Sequence, residues 1–195
     1  MAYFKVCSFN CKNFNGLLKP EYISSLMDKC DFLCLQEHHL FESEFHNFED
    51  LVGGQSSVMY TAKSSMDPST FHRGRKYGGI AILWKGNLQW TVTPVRTVSK
   101  RLAAVIVKMP YSELLIYCVY MPCDDGYRSE NLNEYVDILN EISEISAHHK
   151  IDNLCITGDL NTDIGRGSPQ TTELKNFCTN EKLCLLVNTP ASSVD

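Results

Sequence analysis

The sequence lacks the signatures of several common enzyme classes. It has no G-x-x-x-x-G-K-[S/T] phosphate loop, no G-x-S-x-G nucleophile elbow and no H-E-x-x-H zinc helix. These absences leave P-loop, α/β-hydrolase and zincin chemistry without support. The sequence also lacks internal repeats, low-complexity tracts and any apolar run near the roughly 20 residues of a membrane span. We therefore expect one continuous domain over residues 1–195 and no membrane partner.

An excess of positive charge is also missing. The formal net charge is −5, which does not favour nucleic-acid binding, although a metal ion in an acidic cleft can reverse the local sign. The nine cysteines form no paired C-x-x-C zinc motif, and several lie within apolar runs. No signal-peptide pattern precedes the first strand-like segment. We expect reduced cysteines in a nuclear or cytoplasmic protein that is not secreted.

What the sequence does have is a series of short apolar runs that alternate with helical patterns. Helical spacing begins at Pro20 and at Ser129, and a third helix is predicted around 170–179. A hairpin is predicted to turn near residues 109–112. The predicted strands are 3–9, 31–35, 79–84, 102–107, 114–119 and 152–157. Continuous apolar strands imply burial on both faces, so the predicted fold is a layered α/β sandwich with helices outside.

Polar residues follow four of these strands. They are Asn10, Glu37, Tyr120 and the pair Asp159 and Asn161. Ligand sites of layered α/β folds gather at the carboxyl ends of strands, and carboxylate and amide oxygens suit Mg²⁺. The pattern therefore favours metal-assisted hydrolysis of a phosphate ester. The alternative is structural, because Asp and Asn commonly form turns after strands and a buried tyrosine is often part of a core.

Short motifs around these residues resemble a known family. The four motifs, in chain order, are Ser8–Asn10 (SFN), Leu35–Glu37 (LQE), Tyr120–Pro122 (YMP) and Gly158–Asn161 (GDLN). Together they resemble the endonuclease/exonuclease/phosphatase superfamily. Residues 34–40, 77–84 and 118–122 are more narrowly similar to the apurinic-type endonuclease domain of LINE (non-LTR) retrotransposons. The resemblance runs from about residue 3 to residue 195.

The resemblance assigns a role to each of the five residues. Glu37 matches the metal-binding glutamate, and Asn10 matches the amide that helps to organise the metal and the water. Tyr120 matches the tyrosine that contacts the scissile phosphate. Asp159 matches the aspartate that positions or activates the attacking water. Asn161 matches the side-chain amide beside that aspartate, which contacts the phosphate. His38 and His39 fall where related sequences vary, and we expect them to be flanking residues only.

Two positions depart from the family pattern. Some members carry an acid two residues after the equivalent of Asn10, where this sequence has Lys12. Asp195 matches the aspartate that orients a catalytic histidine, but the expected Ser-Asp-His motif would come later. We therefore expect a domain that is incomplete at its C-terminus, with the last strands missing.

The resemblance also implies a cofactor, partners and a function. The cofactor is Mg²⁺, with Mn²⁺ as a second candidate, and the substrate is DNA, which the enzyme nicks. A reverse transcriptase region of the same element is the implied protein partner. Arg73, Arg75 and Lys76 are candidate contacts to DNA phosphates, with a solvated loop as the alternative. Two other functions stay open: hydrolysis of a small-molecule or lipid head-group phosphate, and a non-catalytic remnant or binding module.

Overall fold

A computed structural model describes residues 4–17, 19–51, 57–69, 74–123 and 129–186. Within these residues the chain forms two four-stranded sheets that pack face to face, with helices on the outer faces. The predicted α/β sandwich of two mixed sheets is confirmed. The described part of the chain contains no helix that is both long and apolar enough to cross a bilayer.

The first sheet has the strand order β1-β2-β4-β3. Its strands are β1 (Val6–Asn10), β2 (Phe32–Gln36), β3 (Val58–Lys63) and β4 (Ile80–Lys85). β1 and β2 are parallel, and β4 is antiparallel to both β2 and β3. The outer face of this sheet is covered by α1 (Lys19–Lys29) and by a 3₁₀ helix, Glu42–Leu51, whose buried side chains join the same apolar cluster.

The second sheet has the order β5-β6-β7-β8. Its strands are β5 (Thr91–Val95), β6 (Leu102–Met109), β7 (Ser112–Tyr120) and β8 (Leu154–Asp159). β7 and β8 are parallel, and the other neighbours are antiparallel. Its outer face packs against α2 (Ser129–His149) and α3 (Pro169–Asn180). The predicted hairpin is the β6–β7 pair, in which Met109 lies opposite Ser112.

The core between the sheets is formed by side chains of β2, β4, β6 and β7. These strands are buried along nearly their whole length, as continuous apolar runs predict. All nine cysteines are free, and five of them are buried. Burial raises the pKa of Cys11 to about 12, so this thiol stays protonated and behaves as a small apolar group.

Candidate active site

The polar residues that follow the strands come together where the two parallel strand pairs end. Asn10 ends β1 and Glu37 comes directly after β2, and these strands are neighbours in register. Tyr120 and Asp159 end β7 and β8 and lie opposite each other in register. Strands β1 and β8 contact each other across the two sheets. The two pairs therefore form one cleft from two sheets.

The side-chain amide of Asn10 joins the two carboxylates of this cleft. Its Nδ2 donates to Oε1 of Glu37 at 2.7 Å and to Oδ2 of Asp159 at 2.9 Å. Its Oδ1 accepts from the backbone N–H of Lys12 at 3.2 Å, which fixes which side of the amide faces the acids. An NH₂ group has two hydrogens, one for each carboxylate. Asn10 thus links a residue of the first sheet to a residue of the second.

Glu37 lies in a turn with an unusual backbone conformation. Its φ is 55° and that of His39 is 58°, both in the left-handed region that is disfavoured for residues other than glycine. Backbone bonds fix the turn, because Glu37 N donates to Gly79 O and His39 N donates to Gly78 O, each at 2.9 Å. The turn gives the Glu37 side chain a direction different from that of the preceding strand residues.

His38 fills the interior of this turn. Its Nδ1 accepts from Leu40 N at 3.0 Å, and its Nε2 therefore carries the proton and donates to Lys63 O at 3.0 Å. A Cβ on Gly79 would lie 2.4 Å from the imidazole, so glycine is required there. Burial lowers the pKa of His38 to about 4. The imidazole is a neutral structural part of the turn, a more specific role than that of a flanking residue.

His39 lies beside the carboxylate itself. Its Nε2 is 3.5 Å from Oε2 of Glu37, and the ring is almost fully buried. Burial lowers the pKa of His39, an effect that the Glu37 carboxylate partly opposes. The sequence analysis treats His39 as a flanking residue only, whereas the structure shows that it lies next to the Glu37 carboxylate.

Tyr120 and Arg101 form the other side of the cleft. Burial raises the pKa of Tyr120, and the nearby Glu37 carboxylate raises it further, so the phenol keeps its proton and can donate. The Arg101 guanidinium lies 5.0 Å from the centre of the Tyr120 ring, and its Nε donates to Glu134 at 3.0 Å. Sequence reasoning missed Arg101 because it precedes a strand. The register of the predicted β6–β7 hairpin could have identified it, because that register puts Arg101 beside Tyr120.

The segment after β8 is shaped by one glycine and one amide. Gly158 has a φ of 139°, and a Cβ there would lie 2.0 Å from the carbonyl oxygen of Val119. Asp159 follows, and its carbonyl accepts from Met121 N at 2.9 Å. Asn161, with a φ of 46°, donates its backbone N–H to Oδ1 of Asp159 at 3.1 Å and its Nδ2 to Met121 O at 2.8 Å. Both Asp159 oxygens are thereby oriented.

The donor set of the cleft fits a hard divalent cation held by few protein ligands. Within the described residues, no group of three or more His, Cys, Asp or Glu side chains is arranged to hold a metal ion. The cleft instead offers the carboxylates of Glu37 and Asp159, bridged by an uncharged amide. Mg²⁺ is commonly bound through one or two carboxylates, with waters and substrate phosphate completing its shell. Glu37 and Asp159 are the carboxylates of the cleft that would be available to such an ion.

The structure describes two of the three basic residues that were predicted to contact DNA before β4. Arg75 is exposed and acts electrostatically on His39, which places it near the Glu37 turn. Lys76 is paired with Glu44, with Nζ 2.6 Å from Oε2. Arg73 lies outside the described residues, and so does Asp195. The predicted DNA contacts of Arg73, Arg75 and Lys76 and the predicted role of Asp195 therefore stay predictions.

Comparison with known proteins identifies the family. Residues 7–180 match the sequence model of the Endonuclease/Exonuclease/phosphatase family. No curated protein matches the chain.

Solved structures share the fold. The endonuclease domain of TRAS1, a telomere-specific non-LTR retrotransposon, is 12% identical with a TM-score of 0.62, and the match covers 92% of this chain and 71% of that one. The 3′ phosphatase NExo from Neisseria, bound to product DNA hairpin, is 14% identical with a TM-score of 0.59, covering 91% and 71%. SmcL is 18% identical with a TM-score of 0.63, covering 95% and 71%. Family members are phosphoesterases that generally use divalent metal ions. Because the family model spans most of its length, this chain belongs to the endonuclease/exonuclease/phosphatase family.

Proposed function

We propose that this chain is a Mg²⁺-dependent endonuclease domain that nicks DNA, of the type found in non-LTR retrotransposons. The observation that carries the proposal is the Asn10 amide, which joins Glu37 and Asp159 beside Tyr120 in one cleft. This arrangement supports the proposal, because two carboxylates, one of which would hold the metal ion, and a phenolic donor meet in one cleft. Mn²⁺ is the alternative ion.

Each side chain has a task in the hydrolysis of a phosphodiester. Glu37 would hold the metal ion, which when bound neutralises charge on the phosphate oxygens. Asp159 accepts a hydrogen bond from water and takes its proton as the water oxygen attacks phosphorus. Tyr120 and Asn161 donate to phosphate oxygens. The bond from phosphorus to one ester oxygen breaks, and the leaving oxygen takes up a proton from solvent. The products are a phosphomonoester and a free hydroxyl group.

Two neighbours support DNA as the substrate. The TRAS1 domain is described as an endonuclease of a non-LTR retrotransposon, and NExo is described as bound to a DNA hairpin. The YGGIAILW segment, residues 77–84, also resembles retrotransposon endonucleases. On this proposal, a reverse transcriptase of the same element is the partner.

A plasmid-nicking assay tests the proposal. The chain is incubated with supercoiled plasmid and Mg²⁺, and the rate of conversion to open circles is measured. Glu37→Ala and Asp159→Ala are each expected to lower the rate by about 10²-fold or more, because each removes a group aimed at the reacting atoms. Asp163→Ala is the matched control, because Asp163 is an exposed carboxylate that pairs with Arg166 instead of joining the cleft. Equal nicking by the parent and the two cleft variants would contradict the proposal.

A soluble phosphoester is the second candidate substrate. The formal net charge of −5 favours it, because a negative protein repels polyanionic DNA. Competition between plasmid DNA and a soluble inositol phosphate separates the two substrates. DNA as the substrate predicts that nicking persists in an excess of the small molecule, whereas strong inhibition with turnover of the small molecule would favour the alternative.

A further inference from the structure

The loop between β5 and β6, residues 96–101, is fixed by side chains from elsewhere in the fold. Nζ of Lys63, at the end of β3, donates to Thr97 O at 2.6 Å and to Ser99 O at 2.7 Å. The buried hydroxyl of Thr97 donates to Leu102 O at 2.7 Å. Two backbone carbonyls of the loop are therefore held by one cation of the first sheet.

The backbone N–H groups of the loop are held from the opposite direction. The carboxylate of Glu141 in α2 accepts from Val98 N and from Ser99 N, the second bond being 3.0 Å long. Ser99 Oγ accepts from Arg101 N at 3.1 Å. Because both kinds of backbone polar group are satisfied internally, the conformation of the loop is set before any ligand binds. Such preorganisation lowers the entropic cost of binding.

The loop lies next to the Tyr120 side of the cleft. Leu102 is opposite Val119 in the β6–β7 register, so the residues before Leu102 lie beside Tyr120. Tyr120 N donates to Arg101 O at 3.0 Å, and the Arg101 guanidinium covers the Tyr120 ring. A polymer with one phosphate at Tyr120 would continue along this loop.

The outward face of the loop is cationic. Its exposed cations are Arg96 and Lys100, whereas Arg101 lies over Tyr120 and is paired with Glu134. Arg96 and Lys100 are exposed, and neither lies within 4 Å of a carboxylate in the described part of the chain, although Lys100 is near enough to Asp67 to help lower the pKa of that carboxyl. Val98 lies between Arg96 and Lys100 in sequence and is 90% exposed. One exposed valine offers too little apolar surface for a lipid bilayer, since interfacial segments use a whole apolar face.

We propose that the loop of residues 96–101 is a preformed contact surface for the nucleic-acid backbone that flanks the scissile phosphate. Arg96 and Lys100 bind phosphates of the flanking nucleotides, and Val98 packs against the sugars between them. The inference rests on the proposed DNA substrate and adds where the strand runs. It also gives an acidic chain two exposed cations beside the cleft with which to bind DNA.

The salt dependence of DNA binding tests this surface. A fluorescein-labelled DNA duplex is titrated with the full chain carrying Asp159→Asn, and Kd is measured by anisotropy between 50 and 200 mM KCl, a range in which phosphate binding depends strongly on salt. Adding Arg96→Gln and Lys100→Gln should weaken binding and reduce the slope of log K against log[salt] by roughly 2, about 1 for each phosphate that is no longer neutralised. The matched control adds Lys108→Gln and Lys150→Gln, which remove the same charge. Lys108 is at the far end of β6 and Lys150 precedes the far end of β8.

The outcomes separate this surface from the proposed function. A slope unchanged by the loop substitutions, or changed equally by the control pair, would overturn the role of the loop while a nicking parent enzyme stands. A protein that neither nicks nor binds the duplex would contradict both proposals. Binding to phosphatidylserine vesicles that depends on Arg96 and Lys100, with DNA binding independent of them, would assign the loop to a membrane and overturn the inference.

Discussion

Gly158→Ala tests how the cleft depends on close contact between two strands. Gly158 lies opposite Val119 in the parallel β7–β8 register, and Asp159 is the next residue. A Cβ at Gly158 would lie 2.0 Å from Val119 O and 2.8 Å from Val119 N. Both atoms are backbone, so no side-chain rotation can relieve the clash. The φ of 139° also disfavours alanine.

The size of the effect follows from the contact distance. Real Cβ atoms essentially never approach another heavy atom within 3.0 Å, so β8 must move away from β7 by about 1 Å at this point. Such overpacking typically costs about 1–3 kcal/mol of stability. It also displaces Asp159, whose Oδ2 is 2.9 Å from the Asn10 amide. A misplacement of about 1 Å can lower the rate by roughly 10²-fold.

The assay combines plasmid nicking with urea denaturation of the same protein. Gly165→Ala is the control, because a Cβ there would meet only Oδ1 of Asp163, at 3.3 Å. We expect Gly158→Ala to lose most of its nicking rate and to unfold at lower urea, with Gly165→Ala close to the parent. A Gly158→Ala protein with the stability and nicking rate of the parent would refute this reasoning.

Three further predictions concern single side chains. Asn10→Ala removes the link between the two carboxylates, and we expect the nicking rate to fall about 10²-fold and half-saturation to need more Mg²⁺. Retention of the parent's Mg²⁺ dependence would count against the bridge. Arg101→Met keeps the apolar stem of the side chain but loses the guanidinium over Tyr120. We expect KM for DNA to rise several-fold in steady-state nicking. An unchanged KM would show that Arg101 does not contribute to the site. Burial raises the pKa of Tyr117 from its ordinary 10 to about 12, so the unfolded chain loses this proton first and the free energy of unfolding falls as pH rises from 10 to 12. Tyr117→Phe should show a shallower fall over that range by urea denaturation, and equal slopes would contradict the assignment.

Six of the eight strands in the described residues were predictable from sequence, whereas β3 and β5 were not. β2, β6 and β7 are continuous apolar runs because both of their faces are covered. β3 (VMYTAK) and β5 (TVTPV) have no such run, because threonine, lysine or proline interrupts each of these partly exposed edge strands. The other two edge strands, β1 and β8, keep short apolar runs and were predicted. Pro94 within β5 is tolerated because an edge strand has one side without ladder hydrogen bonds. Local sequence patterns therefore find strands that contain apolar runs, and tertiary packing decides which interrupted segments pair at an edge.

Some features of the cleft were likewise predictable from sequence, and others were not. Asn10, Glu37, Tyr120 and Asp159 were predicted because each lies at or directly after the end of a strand with an apolar run, a pattern that the sequence displays directly. The bridge made by Asn10 could not be predicted, since it joins residues 149 positions apart through two different sheets. The neutral imidazole of His38 within the left-handed turn also depends on partners from β3 and from the segment before β4. Such contacts come from the three-dimensional register and not from spacing along the chain.

Mn²⁺ binding measured by calorimetry tests the central claim most directly, namely that Glu37 is the carboxylate around which a divalent-metal site forms. The parent chain should show saturable Mn²⁺ binding. Glu37→Gln keeps the size of the side chain but removes its charge, and it should abolish that binding. Asp163→Asn, which removes an exposed carboxylate outside the cleft, should bind as the parent does. A Glu37→Gln protein that binds Mn²⁺ with the parent's affinity would contradict the account.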